Sequence, residues 1–329
     1  MPKVSVLISA FNAEETIKRC LDSIFHQTHP DFEVILVNDG SSDRTMPIVK
    51  AFKDKRLHII DMPHVGLPKA LNAGLKQCKG QYIARMDADD WSYPDRFALQ
   101  ADVLDNDPRV EVVCGLVEYA GNRDKNEGYA RHVDWVNSLQ SHEEMFLNRF
   151  EDSPVVNPSS MFRKNLIDKY GNYTEEPIPE DYEFWMRLFH HKVMFHKIQQ
   201  PVLKWYDLAK RITRNSDNYS VTSFQKVKAS YLDKQLDLNA KDIFVFGTGK
   251  TVDKKIAPLL SMGININNYL EVKAGPYASK EVTHYTNLPK YTGQELVLSY
   301  VGDREGKVKI KSYLEALGYT LGRSYFLMC

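Results

Sequence analysis

The chain has 329 residues, more than one hydrophobic core usually organises, so one large domain and a smaller companion are expected. Lysine plus arginine and aspartate plus glutamate balance at 43 each, which leaves no overall positive field for a nucleic acid backbone and argues against a DNA or RNA partner. The hydrophobic share of 43% suits a globular chain, and four scattered cysteines, Cys20, Cys78, Cys114 and Cys329, show no paired metal-ligand spacing and read as reduced thiols of a cytoplasmic protein.

The amino terminus passes straight into an apolar strand, without the basic, apolar and small-residue sections of a signal peptide. No apolar run approaches the roughly 20 residues that cross a bilayer as a helix. The expectation is a soluble cytoplasmic protein, at most peripheral at the inner face of the membrane. Residues 185–197 and 204–214 mix aromatic and basic side chains, which suits peripheral contact but equally an ordinary packed face with snorkelling cations.

Residues 4–9 form an apolar, β-branched run, as a buried parallel strand requires, and 14–27 follow at helical spacing. The alternation repeats: strand 34–37, turn residues 38–43 and helix 45–53; strand 57–60 and a helix 68–78 opened by Pro68; then strand 82–86. Such alternation predicts a mostly parallel sheet covered on both faces, with ligands gathered at the carboxyl ends of its strands. A helix over 94–104 and a strand over 110–115 continue the pattern. Residues 122–135 are polar and read as an irregular excursion. Beyond them come a helix from 143, a strand approach at 155–162, a helix from 180 and a strand at 193–196. A second unit begins near 241: strand 243–246, a helix to 262, strand to 271, strand 295–302, helix 307–317 and strand 324–328, a small Rossmann-like half. The division is therefore 1–212, a helical linker 213–240, and 241–329.

One stretch carries the most chemistry. The strand ending at Met86 runs directly into Asp87, Asp89 and Asp90. Carboxylates this close repel one another, and oxygen-only ligands at a strand end select a hard cation, Mg²⁺ or Mn²⁺, typically shared with substrate phosphate. A solvated acidic turn is the alternative. The loops 10–12, 39–43 and 87–90 all fall at carboxyl strand ends, so one site can gather them.

Those loops also carry a resemblance. Val4-Ser-Val-Leu-Ile-Ser-Ala-Phe-Asn12 with Glu14, Val37-Asn-Asp-Gly-Ser-Ser-Asp43, Gly66-Leu-Pro-Lys-Ala-Leu-Asn-Ala-Gly74 and Asp87-Ala-Asp-Asp90 resemble, in order, the signatures of a family 2 glycosyltransferase of the GT-A fold, over residues 3 to about 200. The resemblance implies a nucleoside-diphosphate sugar donor, with UDP favoured, and a glycan or lipid-linked glycan acceptor. It implies that Asp39 accepts a hydrogen bond from uracil N3–H, which cytidine lacks, while Ala10, Phe11 and Asn12 shape the base and ribose slot. Glu14 then reaches a ribose hydroxyl or caps its own helix. Lys69 meets the diphosphate, holds Asp87 in position, or is simply exposed. Asp87 and Ala88 lie by the ribose and sugar, and Asp89 binds the metal, which takes up charge on the departing nucleoside diphosphate.

The acceptor hydroxyl needs a base. Pro179-Glu-Asp-Tyr-Glu-Phe-Trp-Met-Arg187 matches the family's acidic pair at a helix start, which implies Asp181 as base, with Glu180 as the close rival. Two acids at a helix amino terminus also have a purely structural reading. A single displacement would invert the anomeric centre. The family's late Arg-x-His element is absent; Arg211 or Arg214 stands near its place. In the second unit Gly247-Thr-Gly249 lacks a third glycine, since Val252 occupies that position, so a nucleotide-free accessory or docking domain is expected even though Glu271 ends the next strand. Two rivals to a transferase stay open: a sugar-1-phosphate nucleotidyltransferase, whose Gly-rich, Arg-containing first loop is missing at 9–12, and a sugar-nucleotide-binding protein without transferase activity.

Overall fold

The computed structural model describes residues 2–208, 216–271 and 282–329; Arg211 and Arg214 lie outside the described residues. The chain divides into two compact units: 1–142, 155–176 and 183–215 form the first, while 143–154, 177–182 and 216–329 form the second.

The first unit is built on an eight-stranded sheet of order β3-β2-β1-β4-β7-β6-β8-β5. Strands β1 (Val4–Ala10), β2 (Phe32–Asp39), β3 (Leu57–Met62) and β4 (Tyr82–Asp87) pair in parallel. Every residue of β2 is buried, and all of β1 but Ser9, which explains their continuous apolar sequence. Helix α1 (Ile17–Phe25) packs Ile17, Cys20, Leu21 and Ile24 inward at helical spacing; α2 (Thr45–Ala51) and α3 (Leu67–Leu75) complete the crossovers. Strands β2 and β3 lie on one side of β1 and β4 on the other, so the order reverses between β1 and β4, where ligands collect in such sheets.

The far half of this sheet is mixed. After β5 (Trp91–Ser92) and α4 (Arg96–Asn106), the long strand β6 (Val110–Ala120) pairs in parallel with β8 (Met194–Tyr206), and the short β7 (Met161–Arg163) runs antiparallel between β4 and β6. One sequence expectation fails here. Residues 122–135 are not irregular, because α5 (Glu127–Ser138) occupies most of them. Its buried Ala130, Val133 and Val136 form a stripe only one residue wide in an otherwise polar segment, too little periodicity to register in sequence. Helices α6 (His142–Asn148), α7 (Asn165–Tyr170) and α8 (Glu180–His190) follow, with Trp185 of α8 fully buried.

In the second unit β9 (Asp242–Phe246), β10 (Asn268–Glu271), β11 (Val282–His284), β12 (Glu295–Ser299) and β13 (Tyr325–Leu327) make an all-parallel sheet of order β11-β10-β9-β12-β13, joined by α10 (Lys250–Ser261) and α11 (Arg304–Ala316). The 143–154 segment packs into this unit: Phe150 meets Phe326 edge-on at 5.1 Å, and Glu151 pairs with Lys307 at 2.5 Å.

Helix α9 (Val221–Leu236) brings Lys228 to the end of β13, where the fully buried amine donates to the carbonyls of Glu151 (2.8 Å) and Met328 (3.0 Å). Burial pulls its pKa down from 10.5 to about 8. Below that value the amine is charged in both states and its burial opposes folding in full. Between 8 and 10.5 the folded protein sheds the proton before the unfolded chain does, so this group makes stability rise with pH, by on the order of 3 kcal/mol over the window. Burial raises the thiol pKa values of Cys20, Cys78 and Cys114, which tilts stability the other way in the same window, so the test is the difference between two proteins. In urea melts at its two ends the wild type is expected to gain this much relative to Lys228→Met, and an identical pH slope in both would exclude Lys228 as a contributor.

Candidate nucleotide-sugar site

The strand register places three loops side by side. Ser9 of β1 pairs with Asp87 of β4, and Ala10 pairs with Asn38 of β2, so Ala10 and Phe11 sit between Asp39 and the acidic turn. Side chains stitch the first two loops together. Asn12 has φ of 48° and accepts the Ser42 N–H at 2.9 Å, while its own N–H donates to Ser41 Oγ. Glu14 accepts the Arg44 N–H at 3.0 Å and its own N–H donates to the Asp43 carboxylate. Glu14 therefore holds the loop from residue 43 to 44 in this structure. Burial acts to raise the pKa of Asp43, but donors from Thr45 and Glu14 outweigh it and keep the carboxyl below its ordinary value.

Asp39 is buried, and its carboxylate takes the N–H groups of Val65 (2.8 Å, Oδ1) and Gly66 (3.1 Å, Oδ2). His64 Nδ1 lies 2.9 Å from Oδ2, and the His64 ring stacks on the half-exposed Phe11 at 4.1 Å between centroids. Asp39 thus anchors the 64–66 loop, and Oδ1, with one donor, keeps acceptor capacity for a base. His64 is a residue that sequence reasoning missed, since a lone histidine in a polar loop carries no periodic signal.

At the end of β4, oxygens of Asp87, Asp89 and Asp90 lie within 4.8 Å of one another. Three carboxylates and no softer ligand form a donor set suited to a hard divalent cation. The cluster has internal counter-charge that the sequence argument overlooked. The fully buried guanidinium of Arg85 donates to Asp87 Oδ1 and to the carbonyl of Leu7 at 3.1 Å. An arginine two residues before an acid lies on the same side of a strand, and that spacing was readable. Asp90 is buried, and its Oδ1 accepts the N–H of Tyr206 at 2.9 Å, fastening the end of β8 to the acidic turn. Arg19 of α1 donates to the Asp89 carbonyl at 2.5 Å, and the buried Ala88 separates the two acids. Lys69 is exposed on α3; among the described residues the ion pair to Asp87 comes from Arg85.

Residues 5–171, about half of the chain, match the family model described as Glycosyl transferase family 2. The chain belongs to that family. Among curated relatives it is 31% identical over 218 residues to the amylovoran biosynthesis glycosyltransferase AmsE of Erwinia amylovora, covering 65% of this chain and 77% of AmsE. Against the chondroitin synthase of Pasteurella multocida it is 39% identical over 101 residues, 30% of this chain and only 10% of the synthase. A glycosyltransferase of Haemophilus influenzae is 29% identical over 194 residues, and the match spans 59% of its length. In fold, this glycosyltransferase resembles S. aureus TarS 1-349 in complex with UDP-GlcNAc, with a TM-score of 0.55 at 20% identity over 70% of this chain and 66% of that one. The expected GT-A architecture with an additional carboxyl-terminal α/β sheet is the one found.

The acidic pair expected to supply the base begins α8 within the second unit. Glu180 is buried, and its Oε2 accepts the Tyr219 hydroxyl at 2.6 Å; Asp181 is partly exposed, and its Oδ1 accepts the Tyr182 N–H at 2.7 Å. In the same unit Gly247 and Gly249 adopt φ of 107° and 85° before α10, and a Cβ on Gly247 would come 3.2 Å from Val252 Cγ2, so valine packs against the turn where the fingerprint has glycine. No helix among the described residues is long and apolar enough to cross a membrane.

Proposed function

We propose that this chain is an inverting glycosyltransferase that moves a sugar from a nucleoside-diphosphate sugar, UDP-linked in preference, to a hydroxyl of a glycan or lipid-linked glycan in surface polysaccharide assembly. The observation that carries it is the gathering of Asp87, Asp89 and Asp90 within 4.8 Å at the strand-order reversal, beside Ala10 and Phe11. In this reading residues 1–212 are the catalytic domain, 213–240 a helical linker and 241–329 an accessory domain. AmsE and chondroitin synthase, named for polysaccharide synthesis, favour this setting. The absence of a membrane-crossing helix among the described residues is compatible with a cytoplasmic protein that touches the membrane peripherally.

The division of labour follows from the local chemistry. Asp89 would hold Mn²⁺ or Mg²⁺, with Asp87 and Asp90 beside it; when bound, such an ion offsets negative charge on the departing diphosphate. Asp87, matched by Arg85, is held rigid enough to meet ribose or sugar hydroxyls, next to Ala88. Asp39 would read uracil N3–H through Oδ1 while Ala10, Phe11 and Asn12 line the slot. Glu14 and Lys69 are assigned the ribose and the diphosphate. Asp181 would take the proton of the acceptor hydroxyl as it attacks the sugar carbon. Its partial exposure favours it over Glu180, whose oxygen is committed to Tyr219.

A thermal-shift and calorimetric comparison of UDP, CDP, GDP and ADP with and without Mn²⁺, followed by transfer assays on a broad acceptor panel, tests the proposal. Asp39→Asn is expected to weaken UDP about tenfold and to narrow its advantage over CDP, because an amide nitrogen can donate where the carboxylate only accepts. UDP affinity without glycosyl product would instead favour a binding protein lacking transferase activity.

A further inference from the structure

On the outer edge of the first sheet, next to the acidic turn, lies a cluster that the donor reading leaves unused. Trp91 follows Asp90 directly in the chain and pairs across the β5/β8 edge with Lys204, which in turn pairs with Glu118 on β6. The Trp91 and Tyr93 rings meet edge-on at 4.9 Å, and Lys204 Nζ stands 5.4 Å from the Trp91 centroid and 5.9 Å from that of Tyr93. Lys204 Nζ also pairs with Glu118 at 3.4 Å, and the Tyr93 hydroxyl donates to the other oxygen of Glu118. Burial first, then Glu118, pushes the Tyr93 hydroxyl up to about 12, which keeps it a donor. The row continues to the catalytic rim: Tyr206, two residues beyond Lys204 and on the same side of β8, lies under the Arg19 guanidinium at 3.5 Å and gives its N–H to Asp90.

We propose that Trp91, Tyr93, Lys204 and Glu118 form an acceptor subsite that binds a pyranose ring of the receiving glycan. This rests on the glycosyltransferase reading above. One face of a pyranose presents several C–H groups, which pack against the electron-rich face of a large aromatic ring, while its rim presents hydroxyls that both donate and accept. Trp91 offers the ring, Lys204 a donor and Glu118 an acceptor. The position fits as well. Trp91 is the residue that follows the acidic turn, and Tyr206, in the same row, gives its N–H to Asp90. A purely structural role, plugging the exposed sheet edge at β5, is the competing explanation.

Saturation-transfer NMR separates them, using methyl β-D-glucopyranoside and methyl β-D-galactopyranoside as probes, with UDP and Mg²⁺ present. Wild-type protein is expected to transfer saturation to glycoside ring C–H protons and to UDP. Trp91→Leu should cut the glycoside signal at least about fivefold and leave that of UDP within about twofold, whereas Trp91→Phe should keep both. Lys204→Met should weaken the glycoside signal alone. Absence of a glycoside signal from the wild type, an unchanged one in Trp91→Leu, or joint loss of glycoside and UDP in that variant would overturn the subsite. A glycoside signal without any from UDP would sink the donor reading and leave the sugar platform standing.

Discussion

Asp89→Ala is expected to lower sugar transfer about 10³-fold, the scale of removing a principal stabiliser of charge in a transition state. The three acids are not equivalent. Asp87 already faces the Arg85 guanidinium, and Asp90 is buried with one oxygen on the Tyr206 N–H. Those two carboxylates shape the turn, and Asp89 is the one assigned to grip the cation. Because Asp89 is only partly buried, its replacement should leave the metal-free melting temperature nearly unchanged. The added stabilisation that Mn²⁺ gives in the presence of UDP should vanish. Asp89→Asn should lose most of the same stabilisation, since its neutral carbonyl oxygen lacks the charge with which a carboxylate holds a divalent ion. Full metal-dependent transfer by Asp89→Ala would remove Asp89 from the ion's coordination.

Asp181→Asn is expected to reduce turnover about 10²- to 10⁴-fold with donor affinity retained, the usual range for loss of a positioned base. The acidic limb of the pH–rate profile should flatten with it. Glu180→Gln makes the informative contrast. Glu180 is buried against the Tyr219 hydroxyl, and an amide oxygen can still accept that hydrogen bond, so the cost should be about 1 kcal/mol of stability with little change in turnover. The opposite pattern, Asp181→Asn active and Glu180→Gln dead, would move the base to Glu180. Full activity in both would place it elsewhere.

The parts of the fold that were readable in advance share one physical property: their signal is local. Central strands such as β1 and β2 are buried almost throughout and therefore apolar along their whole length, and α1 carries a wide apolar stripe. Helix α5 escaped because its stripe is narrow, and β5 and β11 because two or three residues hold no period. At the site, the acids announced themselves by spacing, whereas the partners of those acids did not. Arg85 is the exception, since its spacing of two from Asp87 is a local signal; the Tyr206 N–H on Asp90 is not, and His64 acquires meaning only when the loop after β3 folds over Asp39.

The amino-acid sequence by itself determined that the first two hundred residues alternate strand and helix, that acidic and small residues lie at the carboxyl ends of those strands, and that a second α/β unit follows. Periodicity and composition are properties of neighbouring residues, so they survive without coordinates. Only the tertiary structure decided which carboxylate is neutralised from within, which is buried against a backbone N–H, and that Trp91, Lys204 and Glu118 share a face. Those outcomes depend on strand register and on groups up to 116 positions apart in the chain, and no local pattern encodes such pairings.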